Sequence, residues 1–166
     1  MLLPRSQPAT AHVDAWTARA AVRAEADDVL EALTDPARIA RWAPIQFEVD
    51  GLAGGRLISG SREWVSGTIG GVGARFEVEV VRADTERLEL VAHGPVSFEV
   101  TYTFRGDDGI VVVDAYVSLR RQRGFTAQLL RTVAAGLLSA GALGSALARL
   151  EASLSPRPAG TQLLAA

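Results

Sequence analysis

Hydrophobic and polar residues alternate along most of the chain, and this two-residue period predicts a structure made mainly of β-strands. The alternation is clearest where apolar residues take every second position, as in Phe98-Glu99-Val100-Thr101-Tyr102. Glycine, proline and aspartate mark the turns between such segments. The pattern predicts seven strands, at residues 16–24, 45–50, 55–64, 73–82, 87–93, 96–105 and 110–120.

Three segments have the helical period of 3.6 residues instead. Residues 25–33 and 36–42 are expected to form two short helices, the second opened by the capping residue Asp35 and by proline at its first position. From Gly124 to Ser153, the apolar residues follow one stripe that predicts a single long helix. The small residues on this helix favour either close packing or space for a ligand, and the sequence does not decide between them; they are Gly136, Ala140, Gly141 and Gly144.

The order of elements predicts an α+β fold with a helix-grip arrangement. A curved, seven-stranded antiparallel sheet wraps around the long C-terminal helix, and the two short helices lie between strands 1 and 2. Residues 14–154 form one domain in this interpretation, and residues 1–13 and 155–166 are flexible ends. Residues 67–73 are glycine-rich and are interpreted as a mobile loop near the cavity that such a fold encloses.

Composition narrows the chemistry that the chain can perform. The 166 residues include no cysteine, no lysine and only two histidines, which excludes thiolate metal sites and Schiff-base chemistry, so we expect neither a metal nor a cofactor. A net charge of −2 does not favour nucleic-acid binding. Residues 132–148 are uncharged but contain too few large apolar side chains for a membrane span. We expect a cytoplasmic monomer or homodimer.

Alternation also predicts which polar side chains point inward. Tyr102 shares its face with aromatic and aliphatic residues, so its hydroxyl is expected to reach the cavity. In strand 55–64, side-chain bulk places Arg62 and Trp64 on the inner face. A bulge would instead turn Arg62 to solvent, and the opposite register would bring Glu63 inside as a possible base. His93 is expected on the outer face.

The segment Val29-Leu30-Glu31-Ala32-Leu33-Thr34-Asp35-Pro36, followed by Ile39-Ala40-Arg41-Trp42-Ala43-Pro44, resembles the SRPBCC (START-like, helix-grip) superfamily, in its polyketide cyclase/aromatase branch. The resemblance spans residues 14–154 and implies an apolar pocket for a small hydrophobic ligand beneath the C-terminal helix. The residues expected to contact this ligand are Trp42, Trp64, Phe76, Phe98, Val100, Phe104, Val133, Leu137 and Ala140.

Three functions are consistent with these features. In a polyketide cyclase or aromatase, Tyr102 would orient or protonate a carbonyl of the substrate and Arg62 would stabilise negative charge, without any cofactor. A carrier or sensor of a lipid or another apolar metabolite would need the same pocket but no acid–base pair. An interaction domain would fill the pocket with its own side chains. The resemblance favours the cyclase.

Overall fold

The computed structural model describes residues 14–52, 55–120 and 122–155. Seven strands form one antiparallel sheet in the order β1-β7-β6-β5-β4-β3-β2. The two chain ends predicted to be flexible, residues 1–13 and 155–166, lie outside the described residues apart from Ser155. The strands are β1 (Asp14–Val22), β2 (Phe47–Asp50), β3 (Arg62–Ile69), β4 (Val72–Ala83), β5 (Arg87–His93), β6 (Ser97–Asp107) and β7 (Ile110–Arg120).

Four helices complete the described part of the chain: α1 (Ala26–Thr34), α2 (Pro36–Trp42), α3 (Phe125–Ser139) and α4 (Ala142–Leu154). The carboxylate of Asp35 caps α2 by accepting a hydrogen bond from the backbone N–H of Ala37, at 2.9 Å. This arrangement confirms the predicted helix-grip fold, in which helices cover the inner face of a curved antiparallel sheet. No single helix within the described ranges is long and apolar enough to cross a membrane; only α3 and α4 together, bent by 59°, meet the criteria of length and composition.

The inner face of the sheet carries the core. β4, β6 and β7 bury alternate residues, as the two-residue period requires, and the buried side chains of α1, α2 and α4 pack against them. The outer face carries paired charges, among them Arg19, which lies 2.5 Å from Asp114 on the neighbouring strand. The predicted alternation in these strands is therefore confirmed.

The prediction for the third strand is wrong. Residues 55–61 do not form a strand, because Gly60 adopts a left-handed backbone (φ +83°) in a turn closed by the N–H of Ser61 and the carbonyl of Ile58, at 3.0 Å. The strand begins instead at Arg62 and runs through the segment interpreted as a mobile loop. A two-residue turn at Gly70-Gly71, with φ of +56° and +83°, joins it directly to β4.

The C-terminal helix is interrupted where one continuous helix was expected. Ala140 ends α3, and Gly141, with φ +93°, starts α4 in a new direction. Gly136 and Gly144 face solvent, and a Cβ at either position would meet no atom within 4 Å. These three glycines therefore neither pack closely nor enlarge a cavity; one of them turns the chain.

Candidate functional site

An internal cavity of about 370 Å³ lies between the sheet and the helices, within the size range of small-molecule sites. The sheet supplies its floor through residues that point inward from β2 to β7. These are Phe47, Val49, Val65, Ile69, Phe76, Val78, Leu90, Phe98, Val100, Tyr102, Val117 and Leu119.

The helices and connecting segments supply the remaining walls, and here every side chain is apolar. The helical residues are Leu33, Ile39, Trp42, Leu130, Ala134, Leu137, Leu138, Ala142, Leu143 and Ala146, and those outside the helices and strands are Ala43, Pro44, Ile45, Leu57 and Val96. Pro44 and Ile45 are exposed, as is Leu137 of α3. The cavity therefore reaches the surface between the α2–β2 segment and α3.

Aromatic side chains define the shape of the cavity. Phe76 and Phe98 meet edge to face, with ring centroids 5.3 Å apart and an interplanar angle of 67°. Trp42 turns its indole N–H away, donating to the carbonyl oxygen of Ala32 at 2.9 Å, so only the ring is left for the cavity. Six of the residues expected at the site do line it: Trp42, Phe76, Phe98, Val100, Tyr102 and Leu137.

Tyr102 is the only residue with a polar side chain among those described along the wall. Its side chain is buried, with 8% of its surface exposed, and no hydrogen bond among the described residues involves its hydroxyl. Burial raises the pKa of Tyr102 to about 12, because the phenolate would lose its hydration. At neutral pH the group is therefore a neutral hydrogen-bond donor and not a base.

Arg62 lies outside the cavity, so the prediction that it points inward is wrong. Its side chain is 64% exposed, and its guanidinium lies 3.3 Å from Glu79 and 3.9 Å from Glu77. The physical reason is the register of β3. Arg62 pairs with Glu79, and Glu63 pairs with Val78, whose side chain lines the cavity.

The register of β3 also decides where the neighbours of Arg62 lie. Trp64 is 46% exposed on the outer face, where the guanidinium of Arg75 lies 4.7 Å from its ring centroid. Glu63 falls on the inner side of the sheet, yet it does not line the cavity. Ile58, which has the same alternation as Arg62 and Trp64, is exposed, whereas Leu57 is buried against the cavity.

Three other residues expected at the ligand lie elsewhere. Phe104 is buried in the core beyond the cavity wall. Val133 lies beside the β3–β4 turn, where a Cβ on Gly70 would collide with it. Ala140 is exposed at the end of α3. The inward residues of α3 besides Leu137 each follow a residue of the expected stripe by one position; they are Leu130, Ala134 and Leu138.

A second, smaller cavity of about 210 Å³ lies on the outer face beside His93. His93 is exposed there, as expected. Its other polar groups already have partners, because Arg120 pairs with Glu99 and the amide of Gln122 lies 2.7 Å from the hydroxyl of Ser97. This cavity therefore presents mainly satisfied groups.

The fold and the apolar cavity together define a START-like, helix-grip protein. The sequence profile of the family described as polyketide cyclase/dehydrase and lipid transport matches residues 15–155. The chain belongs to this family. No curated protein matches the sequence significantly.

Solved structures share the fold at low sequence identity. A Chromobacterium violaceum protein has a TM-score of 0.63 at 14% identity, covering 86% of this chain and 97% of that one. A START superfamily protein from Mycobacterium smegmatis has a TM-score of 0.61 at 15% identity, covering 85% and 99%. DynU16, from the dynemicin biosynthetic locus, has a TM-score of 0.51 at 22% identity, covering 86% of this chain and 50% of that one. These likenesses show the fold alone.

Proposed function

We propose that the chain binds a small hydrophobic molecule in the cavity and keeps it out of water, as a carrier or sensor. The observation that carries this proposal is the wall itself. Every described residue along it except Tyr102 has an apolar side chain, and the cavity reaches the surface. Such a wall supplies affinity through apolar burial, but it holds no pair of acidic and basic groups for chemistry.

Filling the cavity tests this proposal. Val78→Phe adds bulk to the wall, and Val81→Phe makes the same change on the same strand at an exposed position. We expect Val78→Phe to weaken binding of the neutral probe N-phenyl-1-naphthylamine by about tenfold or more, because the added ring takes the space of the probe. Val81→Phe leaves the affinity unchanged. The fluorescence of the bound probe measures its affinity for each variant. Equal affinity for the two variants would contradict the proposal.

A second candidate function is cyclisation of a polyketide-like substrate, and the unpartnered hydroxyl of Tyr102 favours it. This donor would stabilise negative charge developing on a substrate carbonyl, while the wall folds the chain and excludes water. The family description agrees with this chemistry. Arg62 does not contribute to this chemistry, since its guanidinium lies beside Glu79 on the outer face of the sheet.

Turnover separates the two candidates. A cyclase would convert a thioester-linked poly-β-ketone, and Tyr102→Phe would lower its rate by about 10²-fold while leaving probe affinity unchanged. Product analysis by liquid chromatography and mass spectrometry measures this rate. Binding of the poly-β-ketone by wild-type protein without conversion would favour the carrier.

A further inference from the structure

The cavity wall contains no charged side chain among the residues that the structure describes. The arginines of β3 and β4 pair with carboxylates away from the cavity, as Arg62 does with Glu79 and Arg75 with Asp50. A carboxylate or phosphate inside the cavity would therefore lose its hydration without gaining a counter-ion, which is costly. The wall selects against charge on the enclosed part of a ligand.

The hydroxyl of Tyr102 has no hydrogen-bond partner among the described residues. The indole N–H of Trp42, on the same wall, already donates to the carbonyl of Ala32. A ligand oxygen that accepts its proton would give this hydroxyl the partner that the wall does not supply. Tyr102 therefore offers one directional contact on an otherwise apolar wall.

The strand register places Tyr102 far from the opening. β4 runs from Val72, beside the β3–β4 turn, to Ala83 at the opposite end. Ala83 pairs with Leu88, and Leu88 pairs with Tyr102. The exposed wall residue Ile45 lies at the other end, because the adjacent carbonyl of Gln46 accepts a hydrogen bond from the N–H of Thr68, next to that turn.

We infer that the ligand is an uncharged, mainly hydrocarbon molecule with one hydrogen-bond acceptor, such as a ketone oxygen, and that it binds with this acceptor innermost, against Tyr102. The hydrocarbon part then extends toward the opening. The inference rests on the proposed function, because it specifies the ligand of the same cavity. It disfavours free fatty acids and linear poly-β-ketones, whose charge or additional carbonyls would meet no partner on the wall.

Three probes with one ring system test the inference: 2-acetylnaphthalene, 2-ethylnaphthalene and 2-naphthoate, each displacing N-phenyl-1-naphthylamine near neutral pH. We expect Tyr102→Phe to weaken binding of the ketone by about five- to tenfold and to leave the hydrocarbon within about twofold. The control, Tyr116→Phe, changes the affinity of neither compound, because Tyr116 lies outside the cavity wall. In wild-type protein the ketone binds more tightly than the carboxylate.

A second measurement needs no variant. The carbonyl stretch of bound 2-acetylnaphthalene shifts to lower wavenumber than in hexane if Tyr102 donates to it. An unshifted stretch, an unchanged ketone affinity in Tyr102→Phe, or a naphthoate that binds as tightly as the ketone overturns the inference while leaving the proposed function intact. If neither the reporter nor any of the three compounds binds, the proposed function fails, and the inference fails with it.

Discussion

Tyr102 and Arg62 are the two polar residues on which a catalytic interpretation of the sequence depends, and they have opposite surroundings. Tyr102 is buried at the cavity wall and has no hydrogen-bond partner among the described residues, whereas Arg62 is exposed beside two glutamates. An arginine cannot lose its charge, so it stays at the hydrated face, while a phenol can be buried as a neutral group. Only Tyr102 is placed to contact a ligand.

The burial of Tyr102 predicts a pH dependence of stability. Its pKa is about 12 in the folded protein, against 10.0 for an unperturbed tyrosine, so the unfolded chain loses the phenolic proton first. The free energy of unfolding should therefore fall as the pH rises through this interval, by about 1–3 kcal/mol in total. This contribution is fully present below pH 10 or so.

Urea unfolding at several pH values between about 9 and 11 measures this effect. The difference in stability between wild type and Tyr102→Phe should shrink as the pH rises, because phenylalanine does not titrate. Tyr116→Phe is the matched control, since Tyr116 is partly exposed. A constant difference across the interval would show that the folded chain does not hold the phenol neutral.

Alternation identified several wall residues from the sequence, and the strand boundaries explain the failures. Phe98, Val100 and Tyr102 lie in a strand whose predicted limits are nearly those observed, so their shared face is confirmed. Arg62 and Trp64 were placed inside by comparing side-chain bulk across a segment that is partly a turn. A period of two residues fixes which side chains share a face, but pairing with β4 decides which face is inner.

At the scale of elements, the break between α3 and α4 depends on one backbone conformation. Gly141 has φ +93°, where a Cβ is unfavourable, so Gly141→Ala should lower the free energy of unfolding by about 1–2 kcal/mol. Gly144→Ala, three residues further on and within α4, should instead raise it by about 0.5–1 kcal/mol, because its Cβ meets no atom and alanine favours the helix. Urea denaturation of both variants measures the changes, and equal effects would contradict this account.

The elements least accessible to sequence reasoning are those set by glycine. Gly70-Gly71 forms a tight turn of two left-handed residues, whereas the run of glycines around it resembles a loop. Gly141 interrupts a helical period that continues on both sides of it. Glycine permits both helical and left-handed backbone, so only the packing of the flanking segments decides between them.

At the scale of the whole molecule, the two C-terminal helices differ in how firmly they are held. α4 buries Leu143, Ala146, Leu147 and Leu150, whereas α3 buries only Ala127 and Leu130 and leaves Phe125 84% exposed. Amide hydrogen exchange should therefore be faster in α3 than in α4. N-phenyl-1-naphthylamine should slow exchange in α3 more, because α3 borders the opening. Equal protection of both helices would contradict this expectation.

The overall architecture is the feature that the sequence predicts best. The order of strands and helices, together with the Asp35-Pro36 cap, is sufficient for the helix-grip fold, because hairpins join neighbouring strands from β2 to β7 and leave β1 to pair with β7. The cavity follows from the same arrangement. On the sheet, its lining could be predicted where the strand limits were correct, as for Phe98, Val100 and Tyr102.

The break at Gly141 also places the residues that stabilise the fold and those that contact a ligand mainly on different helices. Selection for a stable protein acts mainly on α4, which joins the core, whereas selection for a different ligand can act on α3, whose Ala134, Leu137 and Leu138 face the cavity. A change at Leu138 also affects the core cluster that holds α4, whereas changes at Ala134 and Leu137 alter the wall outside that cluster. A mutant library confined to Ala134 and Leu137 would explore new specificities at small risk to folding, and relatives with the same architecture could diverge in ligand by the same route.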